Sequence, residues 1–150
     1  MKYCHSIKAT VFSKEDENQN KVLESFLKSF PFSLSENKIE LKKKSAEGFS
    51  DKKIVIFEVL LSKEKHVRLF LENFIKNLTK QQKEVLIEQT ESRLDDNLDF
   101  FIRIDKTYWM EFGKIEITDS GNCFHLRLSI AAFPKKRENA INVIKELCKL

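Results

Sequence analysis

The sequence contains few of the residues that interrupt regular structure, with only 3 glycines and 2 prolines in 150 residues. Collagen-like, proline-rich and glycine-rich architectures are therefore excluded. Neither the dinucleotide-binding motif G-x-G-x-x-G nor the P-loop motif is present, and no G-x-S-x-G nucleophile elbow occurs. The chain is consequently not expected to be a nucleotide-hydrolysing or dinucleotide-dependent enzyme.

Cysteine and long apolar runs are also scarce. The cysteines number 3, and the wide spacing of Cys4, Cys123 and Cys148 does not form a disulfide framework. No apolar segment near the N-terminus resembles a signal peptide, and no run approaches the roughly 18 apolar residues of a membrane span. We therefore expect a cytoplasmic protein with no membrane contact. With 41% hydrophobic residues, the length fits one domain over residues 1–150.

Positive charge is abundant but comes mainly from lysine. Lys and Arg total 27 against 23 Asp and Glu, which gives a net charge of +4. Only five of these residues are arginines, and they are Arg68, Arg93, Arg103, Arg127 and Arg137. A lysine-rich surface is compatible with nucleic-acid binding, and equally with solubility alone.

Hydrophobic periodicity predicts an α+β fold. Period-two alternation predicts strands at 3–12, 37–44, 54–61, 98–105, 115–118 and 123–133. Helical spacing predicts helices that end before Pro31, over 62–78, over 79–94 and after Pro134. The order β-α-β-β-α-α-β-β-β-α predicts a mostly antiparallel sheet with helices packed on one face.

The other face of this sheet is the best candidate binding surface. Its outward positions are predicted to be Ser6, Lys8, Thr10, Phe101, Arg103, Asp105, His125, Arg127 and Ser129. Arginine can pair with phosphate, and an exposed phenylalanine can stack on a base. Two alternatives remain open: a second copy of the chain covers this face, or Arg103 and Asp105 join an ion-pair ladder across strands.

Two basic clusters form a second candidate surface. Lys42, Lys43 and Lys44 flank a predicted hairpin loop together with Lys52 and Lys53, and a second cluster, Lys135, Lys136 and Arg137, opens the last helix. Basic residues at a helix N-terminus oppose the helix dipole, which weakly favours an anionic partner. The alternative is an ordinary solvated charge run.

Catalytic and metal-binding signals are weak. Cys4, Cys123 and His125 supply at most three converging zinc ligands, whereas a closed structural site needs four. Asp95, Asp96, Asp99 and Asp105 form an acidic cluster, so a metal-dependent nuclease that uses Asp95, Asp96 and Asp105 is a remote alternative. A cysteine nucleophile paired with His125 or His66 has no more support. We expect no catalytic residue, no metal and no cofactor.

A short motif carries a family resemblance. From Ser92 the sequence reads SRLDDNLDFFIRIDK. This resembles an archaeal family of small RNA-binding proteins described as predicted exosome subunits, whose members have a helix ending R-[LIF]-D-[DE] and a strand like [LF]-[FY]-[IL]-R-[LIF]-D-K. The matching residues are Arg93, Asp95, Asp96, Arg103, Asp105 and Lys106. Thr107, Tyr108 and Trp109 depart from the pattern, because family members carry Gln and small residues there.

The resemblance implies a fold similar to that of ribosomal protein L five and a role in RNA binding without catalysis. We therefore predict a non-catalytic RNA-binding protein whose partners are RNA, exosome or ribosome-related proteins, or a second copy in a homodimer. The predicted contact residues are Lys8, Phe101, Arg103, Lys106, His125 and Arg127, with Lys42, Lys43 and Lys44 on the second surface. The alternative is a homo-oligomeric interaction module that does not contact RNA.

Overall fold

Alternating apolar and polar residues build one six-stranded sheet. The computed structural model describes residues 1–47 and 52–150. Over these residues the strands are β1 (Cys4–Lys14), β2 (Lys42–Glu47), β3 (Lys53–Leu61), β4 (Asp99–Asp105), β5 (Ile117–Thr118) and β6 (Cys123–Ile130). Their order in the sheet is β2-β3-β1-β6-β4-β5, and β2 pairs antiparallel with β3, as β4 does with β5. The predicted α+β class with an antiparallel sheet is confirmed.

The described residues form six helices. They are α1 (Gln19–Lys28), α2 (Glu64–Lys76), α3 (Lys80–Glu88), α4 (Thr90–Arg93), α5 (Lys106–Phe112) and α6 (Arg137–Leu147). The Thr79 hydroxyl accepts a hydrogen bond from the Gln82 amide at 3.1 Å, and the Thr79 amide donates to the Gln82 side chain at 2.8 Å. In the sequence, Thr79 is followed three residues later by Gln82, which predicts a capping box, and the structure confirms it.

Several elements differ from the sequence-based expectation, and the helix predicted over 79–94 is divided into α3 and α4. The connection after β4 forms the full helix α5, because the Asp105 carboxylate accepts the Tyr108 amide at 2.8 Å and Gly113 ends the helix with φ of 64°. Strand β2 begins at residue 42, whereas the prediction was 37, because the Ile39 amide bonds to the Leu34 carbonyl at 2.9 Å and closes a turn there. The polar sequence around Gly48 predicts a turn over 43–51, but residues 43–47 belong to β2, and residues 48–51 lie outside the described residues.

The chain forms two compact units, and the first comprises Met1–Ile7, Leu61–Ile102 and Leu126–Leu150. Its core contains the apolar stripes of α2 and α6, together with alternate residues of β6. Strict alternation along β1 predicts His5 on the inward face with Ile7 and Cys4 on the outward face, but Cys4 is buried and His5 is exposed. The buried stripe of α2 includes Val67, Phe70, Leu71, Phe74 and Ile75, as its helical spacing predicts.

The second unit comprises Lys8–Leu60 and Arg103–His125. In this unit α1 packs on one face of the sheet, since the buried Phe26 ring stacks on Phe124 of β6 with centroids 6.1 Å apart. Helix α5 joins α1 through a 2.8 Å hydrogen bond from the Trp109 indole to the Ser25 carbonyl. On the opposite face of these strands, Phe12 and Arg103 are exposed.

The packing of α1 yields a prediction for stability. Phe26→Ala removes a ring that is 1% exposed and also makes an edge contact with Phe30 at 5.4 Å. We expect a loss of about 3–5 kcal/mol in the free energy of unfolding, measured by urea denaturation. The matched control is Leu27→Ala, which truncates the adjacent and exposed residue of the same helix. Equal losses in the two variants would contradict the assigned orientation of α1.

Candidate nucleic-acid interface

The second unit presents an aromatic pair and a cation on the sheet face opposite α1. Phe12 of β1 is 40% exposed, and its ring centroid lies 5.7 Å from that of His125 on β6, with the rings tilted by 39°. Arg103 of β4 is also exposed, and β1, β6 and β4 are neighbours in the sheet. We call these three residues, Phe12, Arg103 and His125, the Phe12 cluster.

Arg103 controls the electrostatics of this cluster. One guanidinium nitrogen donates a 2.6 Å hydrogen bond to the Asp119 carbonyl, which orients the side chain. Partial burial and the nearby Arg103 charge lower the pKa of His125 below its ordinary value. The imidazole is therefore neutral at pH 7 and offers a ring face, while Arg103 supplies the positive charge.

Phe12 is the member of the cluster that the sequence-based site did not include. The sequence contained the information needed to include Phe12, because Phe12 follows Lys8 and Thr10 at the outward positions of β1. The predicted strand ended at residue 12, whereas β1 extends to Lys14. Phe12 was therefore taken for the last residue of the strand, although it lies within the strand and points outward.

The predicted lysines on the neighbouring strands share one carboxylate. Glu58 of β3, whose side chain is 12% exposed, lies 3.4 Å from the Lys8 ammonium and 3.8 Å from that of Lys44. Lys42 is opposite Glu58 in the β2–β3 register, so it lies on the same face. Lys43 is opposite Phe57 and therefore points to the other face. The run of three lysines is thus divided between two faces of a strand and does not form one loop surface.

Lys106 requires a correction, because its side chain is 1% exposed and cannot reach a ligand on the surface. Its ammonium donates to the Phe12 carbonyl at 2.7 Å and to the Glu17 carboxylate at 2.8 Å. A buried ammonium is stable only when it is paired and hydrogen-bonded. Lys106 therefore holds the end of β1 in place and is not a surface cation.

The pKa of Glu17 reflects this arrangement. Partial burial acts to raise the pKa, but hydrogen bonds from the Lys106 ammonium and the Lys14 amide, together with the charge of Lys106, lower it below its ordinary value. The carboxylate therefore remains ionised beside the buried lysine at neutral pH.

The first unit contributes the two remaining predicted residues, Phe101 of β4 and Arg127 of β6. Both are exposed, and each lies between buried neighbours on its strand. The Ile130 amide bonds to the Leu98 carbonyl at 3.1 Å, and an antiparallel register continued from that bond sets Arg127 opposite Phe101. This pair combines an aromatic ring and a cation, as the Phe12 cluster does.

Arg93 and Asp95 of the resemblance motif form hydrogen bonds inside the protein. Arg93 is buried and donates to the Gln89 side chain at 2.7 and 2.9 Å and to the Phe101 carbonyl at 3.2 Å. The Asp95 carboxylate accepts the amides of Asn97 and Asp99, both at 2.9 Å. These groups shape the junction between α4 and β4.

The geometry also bears on the metal and thiol alternatives. Cys123 and His125 are in contact, with sulfur and Nε2 3.5 Å apart. Burial raises the pKa of Cys4 to about 12, which disfavours the thiolate that zinc binding and nucleophilic attack require. Within residues 1–47 and 52–150, no group of three or more His, Cys, Asp or Glu side chains is arranged to hold a metal ion.

In the same part of the chain, no helix is long and apolar enough to cross a membrane.

Comparison with known proteins identifies the family. A family model described as RNA binding matches residues 6–130, so the chain belongs to that RNA-binding family. One curated relative is the RNA-binding protein PAB1135 of Pyrococcus abyssi, which is 28% identical over 143 residues. The match covers 95% of this chain and 92% of that protein. The predicted resemblance to an archaeal RNA-binding family is confirmed at this level.

Two solved structures share the fold at comparable identity. The protein AF2318 from Archaeglobus fulgidus, of family-model DUF54, is 27% identical and matches with a TM-score of 0.84 over 97% of this chain and 99% of its own. Mth689, a DUF54 protein from Methanothermobacter thermautotrophicus, is 26% identical and matches with a TM-score of 0.79 over 97% and 98%. The α+β architecture is therefore shared along nearly the whole chain.

The buried lysine yields a prediction for stability. Lys106→Met keeps the apolar stem but removes the ammonium that donates to the Glu17 carboxylate and to the Phe12 carbonyl. We expect a loss of about 3 kcal/mol in the free energy of unfolding, measured in urea. The exposed Lys114→Met is the matched control and should change stability by less than about 0.5 kcal/mol. A Lys106→Met variant as stable as this control would contradict the structural role.

The lowered pKa of Glu17 yields a pH dependence. Its contribution to stability is complete above the ordinary value of 4.5 and is lost as the pH falls through the lower pKa of the folded state. Glu17→Gln should therefore be less stable than wild type at pH 7, and the difference should narrow as the pH falls below 4.5. Urea denaturation over pH 2 to 7 measures this difference in the free energy of unfolding. The exposed Glu15→Gln of the same loop is the control. A difference that stays constant over this range would contradict the assignment.

Proposed function

We propose that this protein binds RNA without catalysing a reaction, and that the Phe12 cluster is a contact surface. The observation that carries the proposal is the juxtaposition of the exposed Phe12 ring with His125, 5.7 Å away, beside Arg103. Membership in an RNA-binding family and similarity to the RNA-binding protein of Pyrococcus abyssi support the choice of ligand.

Stacking is the first part of the proposed contact. Exposed aromatic rings on a sheet stack on unpaired bases, and this contact tolerates different base sequences. Phe12 offers an apolar ring, and the neutral His125 ring extends it across the neighbouring strand. The pair therefore suits single-stranded or looped RNA better than a continuous duplex.

Charge is the second part of the proposed contact. A guanidinium pairs with phosphate in a planar and directional way, so Arg103 is the expected phosphate contact. Lys8 and Lys44 already share the Glu58 carboxylate, which partly neutralises them. We assign these two lysines, together with Lys42, a weaker and longer-range attraction. Lys43 lies on the other face and is a lesser contributor.

Phe101 and Arg127 form a separate proposed contact in the first unit. They combine an exposed ring with an exposed cation, and the same chemistry of stacking and phosphate pairing applies to them. Each unit therefore carries an aromatic group and an arginine on its strands.

Several finer statements remain predictions. They are an association with the exosome or with ribosome-related proteins, a fold similar to that of ribosomal protein L five, the absence of catalysis, a single functional domain over 1–150, and a cytoplasmic location. A homodimer is also a prediction.

The contact surface is tested by titrating a labelled single-stranded RNA and following fluorescence anisotropy. We expect Phe12→Ala to weaken binding about fivefold or more, as loss of one base stack does. Arg103→Ala should weaken binding and reduce the salt slope by about 0.7, since one phosphate contact is lost. Phe101→Ala and Arg127→Ala test the contact of the first unit in the same way. Exposed residues of the second unit, changed in Phe112→Ala and Lys114→Ala, are the matched controls.

Two results would contradict the proposal at different levels. If wild type binds RNA and the double variant of Phe12 and Arg103 binds equally well, the Phe12 cluster is not the surface. If wild type shows no RNA binding while its mass by light scattering rises with concentration, the homo-oligomeric alternative is the better description.

A further inference from the structure

An exposed phenylalanine lies in the loop between β6 and α6, outside the sheet surfaces described above and next to the basic cluster of Lys135, Lys136 and Arg137. Phe133 is 96% exposed, so its ring gains almost nothing from folding. A single exposed apolar residue is ordinary on a protein surface. Phe133 differs from such a residue because its backbone is held in place and positive charges lie next to it. We call residues 133–136 the Phe133 loop.

The backbone of the Phe133 loop is anchored on both sides of its ring. Before the ring, the Ala131 amide donates to the Tyr3 carbonyl at 2.8 Å. After it, the Pro134 carbonyl accepts from the Lys136 amide and from the Asn139 side chain, both at 2.8 Å. The ring is therefore presented to solvent from a held loop, which lowers the entropy lost when it contacts a ligand.

Two lysines of this loop are available to an anion, whereas the neighbouring arginine is not. Arg137 pairs with the Glu91 carboxylate at 2.9 Å and donates to the Glu91 carbonyl at 2.8 Å. Lys135 and Lys136 are exposed, and neither has an ion-pair partner among the residues that the structure describes. They precede the first turn of α6, where positive charge opposes the helix dipole, so helix stability does not favour them there.

We propose that the Phe133 loop is a second RNA contact, in which Phe133 stacks on one unpaired base and Lys135 and Lys136 bind adjacent phosphates. This inference rests on the proposed RNA-binding function and extends it to a loop that the sheet surfaces do not include. One ring beside two ammonium groups matches the alternation of base and phosphate along a single strand. Insertion into a lipid surface would favour a larger apolar face than this single ring provides.

The test compares one RNA in two forms: a labelled single strand, and the same strand in a fully paired duplex. We expect Phe133→Ala to weaken binding of the single strand about fivefold or more and to leave duplex binding nearly unchanged. Phe133→Tyr should retain binding, because it keeps an aromatic face. Phe133→Leu should lose binding as Phe133→Ala does, because it keeps apolarity without a stacking ring. Lys135→Ala with Lys136→Ala should reduce the salt slope by about 1.4, or about 0.7 for each phosphate.

Phe112→Ala and Lys149→Ala serve as controls, since they remove an exposed phenylalanine and an exposed lysine elsewhere. Because Phe133 is almost fully exposed, its variants should keep the thermal midpoint of wild type. An independent measurement is photocrosslinking of a 4-thiouridine-containing RNA, which should label the peptide that contains Phe133.

The outcomes separate this inference from the proposed function. If Phe133→Ala binds the single strand as wild type does while Phe12→Ala weakens binding, the loop contact is refuted and the proposed function stands. If wild type binds neither form of RNA, the loop contact and the proposed function are both refuted. Full binding by Phe133→Leu, or an equal loss on the duplex, refutes stacking on an unpaired base. Binding to anionic vesicles that depends on Phe133, without any effect on RNA, assigns the loop to a membrane surface and also refutes the inference.

Discussion

The buried ammonium of Lys106 is the constraint on which the second unit depends. It bonds to the Phe12 carbonyl at 2.7 Å and to the Glu17 carboxylate at 2.8 Å, and the Lys106 amide donates to the Asn122 carbonyl at 3.0 Å. One residue thus joins the end of β1, the loop before α1, the start of α5 and the turn before β6. Because an unpaired ammonium in this position would be very costly, these four segments have little freedom to move apart. The Phe12 ring projects from the same residue whose carbonyl Lys106 holds, so the proposed stacking group has a fixed base.

Local sequence signals predicted much of the fold because they reflect local causes. The alternation of β6 gave the correct inward and outward residues, and the Thr79 capping box was visible as a four-residue pattern. The role of Lys106 could not be predicted in this way, since its partners Phe12 and Glu17 are 94 and 89 residues distant in sequence. A lysine after a strand looks like a surface cation until the residues that surround it are known. The start of β2 was misplaced for a similar reason, because the bond between Ile39 and Leu34 makes a turn from residues with strand-like alternation.

The resemblance motif is chiefly a signature of the fold. Arg93, Asp95, Asp105 and Lys106 all direct their polar groups to bonds within the protein. Among the basic residues of the motif, only Arg103 is exposed. The groups best suited to contact RNA, Phe12 and His125, lie outside the motif. Membership in the family therefore predicts the architecture of this chain better than it predicts which residues contact RNA. The contact residues have to be inferred from exposure and charge.

The distribution of charge limits how RNA binding can work in this protein. The net charge is +4, but Lys8 and Lys44 share Glu58, Arg137 pairs with Glu91, and Lys106 is buried. Several cations near the proposed surfaces are therefore locally neutralised, and each phosphate contact on a single strand adds only about 0.7 to the salt slope. A surface of this kind cannot depend on electrostatic attraction alone, as a strongly basic arm can. Base stacking supplies about 1–3 kcal/mol per ring without further charge. The exposed rings of Phe12, Phe101 and Phe133 are thus the groups through which a weakly basic chain can gain affinity for RNA, and they favour unpaired bases because a continuous duplex offers no open base face.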